Sequence, residues 1–146
     1  MKTNHFIVFI LLVTAGILSC TSVHPHPGNY GTDQCDFCRM AIVDPGHAAQ
    51  VITSKGKAYK FDAIECMLRF VDDNSDKPLS AAYVTDYQAE GEWLNAYEAT
   101  YLVSQQIPSP MGAFLSALKS AKAAESLKQE KTGTVYDWNT VFQIIR

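Results

Sequence analysis

The hydrophobic pattern separates a leader from a folded region. After a basic start, residues from Phe6 to Leu18 form an uncharged apolar run. This run is shorter than the roughly 20 residues that a membrane-spanning helix needs, and it is typical of a secretory signal peptide. Residues 20–32 are rich in Pro, Gly, Ser and Thr, as flexible linkers are. We therefore expect a signal peptide over residues 1–19, a tether over residues 20–32 and a folded domain over residues 33–146.

The first half of the predicted domain has two strands followed by an amphipathic helix. We expect strands over residues 48–53 and 58–61, joined by a turn at residues 54–57. Asp62 and Glu65 have the spacing of a capping box, which predicts a helix start. A third strand is expected over residues 82–86. The helix has its apolar side chains at i, i+3, i+4 and i+7, namely Ile64, Met67, Leu68 and Val71.

The second half repeats this order. Residues 93–103 could form one long strand or two short ones. Ser109 and Pro110 favour the start of a second helix, and its apolar face would contain Phe114, Leu115, Leu118 and Ala121. A strand near Val135 and a short helix capped by Asn139 complete the chain. The repeated order predicts an α+β fold with two related strand-strand-helix-strand halves and antiparallel sheet.

Composition and charge argue against some classes of function. The chain has 12 Lys and Arg against 15 Asp and Glu, and only Lys2 lies in the leader, so the rest has a formal charge of −4. This balance argues against nucleic acid or an anionic membrane surface as a partner. The sequence suggests no Ser-His-Asp or Cys-His arrangement, so we do not expect an enzyme. His47, the only histidine within the predicted domain, follows a glycine in a turn, and we expect it at the surface.

The four cysteines divide into one anchor and three thiols. Cys20 ends the stretch Ile-Leu-Ser-Cys, which resembles a bacterial lipobox. In that case Cys20 is the first mature residue and bears the lipid that anchors the protein to the membrane, on the periplasmic side of the cell envelope. The alternative is an ordinary secretory signal with a cysteine nearby. Cys35, Cys38 and Cys66 remain, and an odd number cannot all pair within the chain.

The motif "DQCDFCRM" contains Cys35 and Cys38 at the spacing Cys-x-x-Cys. A thioredoxin-type motif should open a helix after a strand, whereas this one follows a linker. A structural zinc site commonly uses a second cysteine pair, which the chain lacks. A simple disulfide between the two cysteines remains an alternative.

Methionines add a softer chemistry to the thiols. If residues 38–43 are extended, Cys38 and Met40 project from the same face, and thiolates with a thioether select Cu(I). Met111, at the predicted start of the second helix, could bring a thioether from the other half. The alternative for both methionines is core packing. Cys66 points about 150° away from the apolar stripe of its helix, so it is exposed, is a ligand, or is an inert cysteine against a second layer.

Together the segments "CDFCRMAIVDPGHAAQVI", "GKAYKFDAIECM" and "SPMGAF" resemble the NosL family over most of residues 33–118. The resemblance implies a fold of two related halves and a lipoprotein that binds Cu(I) and delivers it outside the cytoplasm, with nitrous oxide reductase as the acceptor. By position, it implies copper ligands at Cys35, Cys38, Met40, Cys66 and Met111. The chain departs from the family pattern at Arg39, where Gly or His is frequent, and at Ser109, which replaces Thr.

Two other functions remain open from the residues alone. The protein could exchange thiols and disulfides through Cys35 and Cys38, or it could be a structural domain with a disulfide that closes a loop. His24 and His26 lie in the predicted tether, either as parts of an exposed spacer or as weak accessory copper contacts.

Overall fold

A computed structural model of the chain describes residues 23–145. The predicted signal peptide and Cys20 lie outside the described residues. Within this range, no helix is long and apolar enough to cross a bilayer. The elements, in chain order, are β1 (Ala49–Thr53), β2 (Ala58–Phe61), α1 (Ile64–Asp73), β3 (Leu79–Thr85), β4 (Trp93–Asn95), β5 (Thr100–Val103), β6 (Leu115–Leu118), α2 (Ala121–Lys131), β7 (Thr134–Tyr136) and α3 (Trp138–Ile145).

The strands form two antiparallel sheets with the same internal order. The first sheet has the order β2-β1-β3-β4 and the second has the order β6-β5-β7. In each half the first strand is central, pairs with the second strand, and pairs with the third strand after a helix. The prediction of two related strand-strand-helix-strand halves is therefore confirmed. The segment Trp93 to Val103 forms two short strands, one in each sheet.

Helix α1 buries three of the four residues of the predicted apolar stripe, and Val71 is partly buried. Ile64, Met67 and Leu68 are fully buried in the main core, as their helical spacing requires. The predicted capping box is wrong, because the N-cap residue is Ala63 and no side chain caps the helix. The carboxylate of Asp62 instead accepts a hydrogen bond from the backbone N–H of Val43, at 2.9 Å.

The helix predicted to start at Ser109 is also wrong. Residues 109–114 form a loop in which Gly112 and Phe114 have φ angles of 77° and 60°, and a right-handed helix cannot continue through such angles. The next four residues form β6, and all four are buried. A strand covered on both faces lacks polar alternation, so its apolar run resembles a helical one. Helix α2 starts later, after Ser120.

Part of the predicted tether lies against the first sheet. The Tyr83 hydroxyl donates to the carbonyl oxygen of Val23 at 2.7 Å. Gln50 bonds both backbone groups of His26, accepting from the N–H at 2.9 Å and donating to the carbonyl at 2.6 Å. Gln50 and Tyr83 face each other across β1 and β3. The N-terminal segment therefore covers the face of the sheet on which they lie.

A buried histidine joins the two halves. His47 is 2% exposed, so the expectation of a surface role is wrong. Its Nδ1 lies 2.8 Å from Oδ2 of Asp44, and its Nε2 lies 3.2 Å from Oγ of Ser116 in β6. Both ring nitrogens thus have partners, which a buried imidazole needs. The network links the loop before β1 to β6 of the second sheet.

Candidate metal centre

Three cysteine sulfurs meet where the loop before β1 faces the first turn of α1. The Sγ atoms of Cys35, Cys38 and Cys66 all lie within 4.8 Å of one another. Cys35 and Cys66 are fully buried, whereas Cys38 is partly exposed. With metal–sulfur bonds of about 2.3 Å, sulfurs around a trigonal ion lie about 4 Å apart. The spacing therefore fits three thiolates around one soft metal ion.

The Cys-x-x-Cys motif lies in a tight turn. The backbone N–H of Cys35 donates to the carbonyl of Met40 at 2.8 Å, and that of Arg39 donates to the carbonyl of Cys35 at 3.0 Å. Arg39, which directly follows Cys38, has a φ angle of 66°, in the left-handed region. The condition that residues 38–43 are extended is therefore not met, and the alternation argument for Met40 fails with it. The Met40 side chain is 54% exposed.

Hydrogen bonds to β2 hold this turn in place. The backbone N–H of Asp36 donates to the carbonyl of Lys60, and the backbone N–H of Lys60 donates to the carboxylate of Asp36, both at 2.8 Å. A second carboxylate, that of Asp33, forms an ion pair with the Lys60 ammonium at 2.6 Å. Neither acidic residue belongs to a motif that the sequence pattern makes visible. Asp36 and Lys60 are 24 residues apart, so no local pattern connects them.

The electrostatics of the cluster favour one ionised sulfur. The hydrogen bond from the Cys66 thiol lowers the pKa of Cys35 to about 5, against the opposing effect of burial. Backbone N–H groups of Asp62, Cys38 and Phe37 also donate to this sulfur. Such a ring of N–H donors stabilises an anion. Cys35 is therefore a thiolate at neutral pH.

The other two sulfurs stay protonated in the metal-free protein. The pKa of Cys66 is raised because its thiol donates to Cys35, and because burial and the Cys35 charge disfavour a second anion. Burial raises the pKa of Cys38, and the neighbouring Cys35 thiolate adds to this. The cluster thus has one negative charge close to two thiol protons that a metal ion could displace.

The structure places Cys66 against a second layer, as one of the alternatives had it. The residue lies in the first turn of α1 and points at the turn of residues 35–40. Met67, its neighbour, is fully buried, as predicted for a core residue. Met111 lies in the loop of residues 109–114 and is half-buried against the core cluster that contains Cys35 and Cys66. The methionine of the second half therefore packs against the same core cluster as two of the thiols.

Two features bear on the alternative functions of the cysteines and on the histidines of the N-terminal segment. Cys35, Cys38 and Cys66 are free thiols, and Cys35 and Cys38 lie in a turn that leads into no helix. The Cys-x-x-Cys motif therefore does not open a helix, as a thioredoxin-type motif does. The histidines of the N-terminal segment, His24 and His26, line a surface cleft beside the β1–β2 turn, and none of the three cysteines lines that cleft.

Comparisons with known proteins agree with this architecture. A family model described as NosL matches residues 30–144. The crystal structure of the copper chaperone NosL from Shewanella denitrificans superposes with a TM-score of 0.68 at 21% sequence identity. The superposition covers 79% of this chain and 93% of that chain. At this level of identity the similarity shows a common fold. No curated protein matches the chain in sequence.

Proposed function

The chain belongs to the NosL family, and we propose that it is a non-enzymatic Cu(I) carrier anchored to the membrane outside the cytoplasm. The observation that supports this most strongly is the meeting of three cysteine sulfurs within 4.8 Å. Soft thiolate and thioether ligands favour Cu(I), which accepts low coordination numbers. Membership of the NosL family agrees with this chemistry.

Copper enters the cluster at Cys38, the partly exposed thiol, and the buried Cys35 thiolate supplies the negative charge that attracts it. Bonds to Cys38 and Cys66 then release their protons, since a metal-bound thiol must be deprotonated. Transfer of copper to the acceptor protein follows the reverse order. A sulfur ligand of the acceptor displaces Cys38 first, and the ion moves without becoming free.

Two methionines complete the proposed ligand set. Met40 is exposed next to the turn, where its thioether can meet copper as it arrives or leaves. Met111 approaches from the second half of the fold. Arg39, exposed between Cys38 and Met40, adds a positive charge that opposes retention of a cation and so favours transfer.

We propose Cys20 as the lipidated residue and nitrous oxide reductase, with its assembly machinery, as the acceptor. Val23 bonds to the folded sheet and follows Cys20 by three residues, a reach of about 10 Å at most. Lipidation would therefore hold the domain close to the bilayer on its periplasmic side. Cys20→Ala should move the protein from the membrane fraction to the soluble fraction, and unchanged membrane association would contradict the anchor.

The copper proposal is tested by anaerobic titration of the reduced protein with Cu(I) against a competing chelator. We expect one tightly bound ion, and weaker binding in Cys35→Ser, Cys38→Ser, Cys66→Ser, Met40→Leu and Met111→Leu. Met67→Leu is the matched control, because Met67 is a fully buried core methionine and this swap conserves volume. Loss of copper from the wild type to a weak chelator would overturn the proposal.

Thiol–disulfide exchange is the second candidate, and the lowered pKa of Cys35 favours it, since reactive thiols are ionised at neutral pH. This candidate predicts a disulfide that is readily reduced and reformed, with no dependence on either methionine. A purely structural role for the cysteines predicts lost stability without lost metal in the serine variants. The same set of variants therefore separates all three functions.

A further inference from the structure

A buried carboxylate lies next to the metal centre and belongs to none of the roles described so far. Glu65 precedes Cys66 in α1 and is 0% exposed. Burying a carboxylate is costly unless donors surround it. Within the part of the chain that the structure describes, only one of its two oxygens, Oε1, has hydrogen-bond partners. A stability role alone would favour an apolar residue here.

The partners of Glu65 lie on both sides of Met111. Its Oε1 accepts a hydrogen bond from the Ser109 hydroxyl and another from the backbone N–H of Ala113, at 3.3 Å. The Ser109 Oγ also accepts a hydrogen bond from the backbone N–H of Phe114, at 2.9 Å. Met111 is therefore the centre of a five-residue loop whose two ends are tied to one side chain.

We propose that Glu65 is a positioning residue that fixes the loop bearing Met111 against the three thiols. This inference rests on the proposed copper function. Glu65 and Cys66 are consecutive in the first turn of α1, so one rigid turn holds a thiol on one side and the Met111 loop on the other. The two halves of the fold are thereby held in the register that lets sulfurs from both reach one ion. Residues that orient metal ligands in this way commonly affect affinity strongly when they are removed.

The test is a double-mutant cycle on Cu(I) affinity with Glu65→Ala, Met111→Leu and the combined variant, measured in the full reduced chain against a chelator. Glu65→Ala should weaken binding about 10- to 100-fold, and the combined variant should bind no more weakly than the weaker single variant. Glu65→Gln keeps an oxygen that accepts the same two hydrogen bonds, so it should keep the wild-type affinity. Glu130→Ala, which removes an exposed glutamate of α2, is the matched control and should also bind normally.

Hydrogen exchange provides a second readout that does not depend on copper. The amides of Ala113 and Phe114 should exchange faster in Glu65→Ala than in the wild type. If Glu65→Ala fails to fold, Ser109→Ala cuts the same link from the other side and should couple to Met111→Leu in the same way.

Several results would overturn the inference. The positioning role is wrong if Glu65→Ala and Met111→Leu weaken Cu(I) binding independently, so that the combined variant shows the product of the two losses. It is also wrong if Glu65→Ala and Ser109→Ala both keep the wild-type affinity. Equal losses of affinity in Glu65→Gln and Glu65→Ala would contradict it as well. If the wild type binds copper and any of these results is found, the positioning role is overturned but the proposed copper function is not. A wild type that does not bind copper overturns both.

Discussion

The ionised state of Cys35 depends on one neighbouring thiol, so replacing that thiol should change it. The Cys66 thiol is the largest cause of the low Cys35 pKa. With a pKa of about 5, roughly 99% of Cys35 is thiolate at neutral pH. An unperturbed cysteine, with a pKa of about 8.5, is only about 3% thiolate there. Cys66→Ala removes the donor while burial of Cys35 still opposes ionisation, so we expect the Cys35 pKa to rise.

Cys66→Ser is the matched comparison, because a serine hydroxyl can still donate to the Cys35 sulfur. The Cys35 pKa should stay low in the serine variant and rise in the alanine variant. The measurement is the pH dependence of the Cβ chemical shift of isotopically labelled Cys35 in the reduced, metal-free protein, which needs no reagent to reach a buried sulfur. In the wild type, copper affinity should fall more steeply with decreasing pH once the pH is below about 5, since the Cys35 thiolate then also becomes protonated and a third proton must leave on binding.

Titration of Cys35 near its unperturbed pKa in the wild type would refute this reasoning. An identical Cys35 pKa in Cys66→Ser and Cys66→Ala would also refute it, because the hydrogen bond would then have no effect. The first result would mean that copper meets three neutral thiols and that the charge of the cluster arises only on binding, whereas the second would mean that donors other than Cys66 set the Cys35 pKa.

Other predictions concern the framework around the site. Ser116→Ala leaves a buried ring nitrogen of His47 without its partner, so the free energy of unfolding, measured with urea, should fall by about 1–3 kcal/mol. An unchanged free energy of unfolding would mean that this contact does not hold the two halves together. Gln50→Ala removes both hydrogen bonds to His26, so the His26 amide should exchange faster than in the wild type; an equal exchange rate would show that other contacts hold the N-terminal segment. Gly133→Ala introduces a Cβ against a backbone carbonyl at a φ of 115° and should lower the thermal midpoint, and a midpoint equal to that of the wild type would contradict this.

The sequence predicted the first half of the fold well because its signals are local. The strand pair around the turn at residues 54–57 and the stripe of α1 both follow simple periods. The prediction for the second half was wrong at residues 109–114 because Ser109 and Pro110 resemble a helix start. The Ser109 hydroxyl instead bonds Glu65, which is 44 residues away. A contact at that separation leaves no trace in local periodicity.

The three cysteines of the candidate metal centre could be picked out by residue type, but their geometry could not be predicted. Cys35 and Cys38 were obvious candidates by spacing, but the φ angle of Arg39 decides the shape of their turn. Helical geometry gave the direction of Cys66 relative to the stripe, without saying what lay there. The carboxylate of Asp36, which pins the turn to β2, could be recognised only once the chain had folded.

X-ray absorption at the copper edge tests the central claim most directly. The reduced protein is loaded anaerobically with one equivalent of Cu(I), and the nearest neighbours of the metal are counted and identified. The account predicts at least three sulfur neighbours at about 2.3 Å, with one of them lost in each of Cys35→Ser, Cys38→Ser and Cys66→Ser. Fewer than three sulfurs in the wild type, or a shell made mainly of nitrogen and oxygen, would contradict joint binding by the three cysteines.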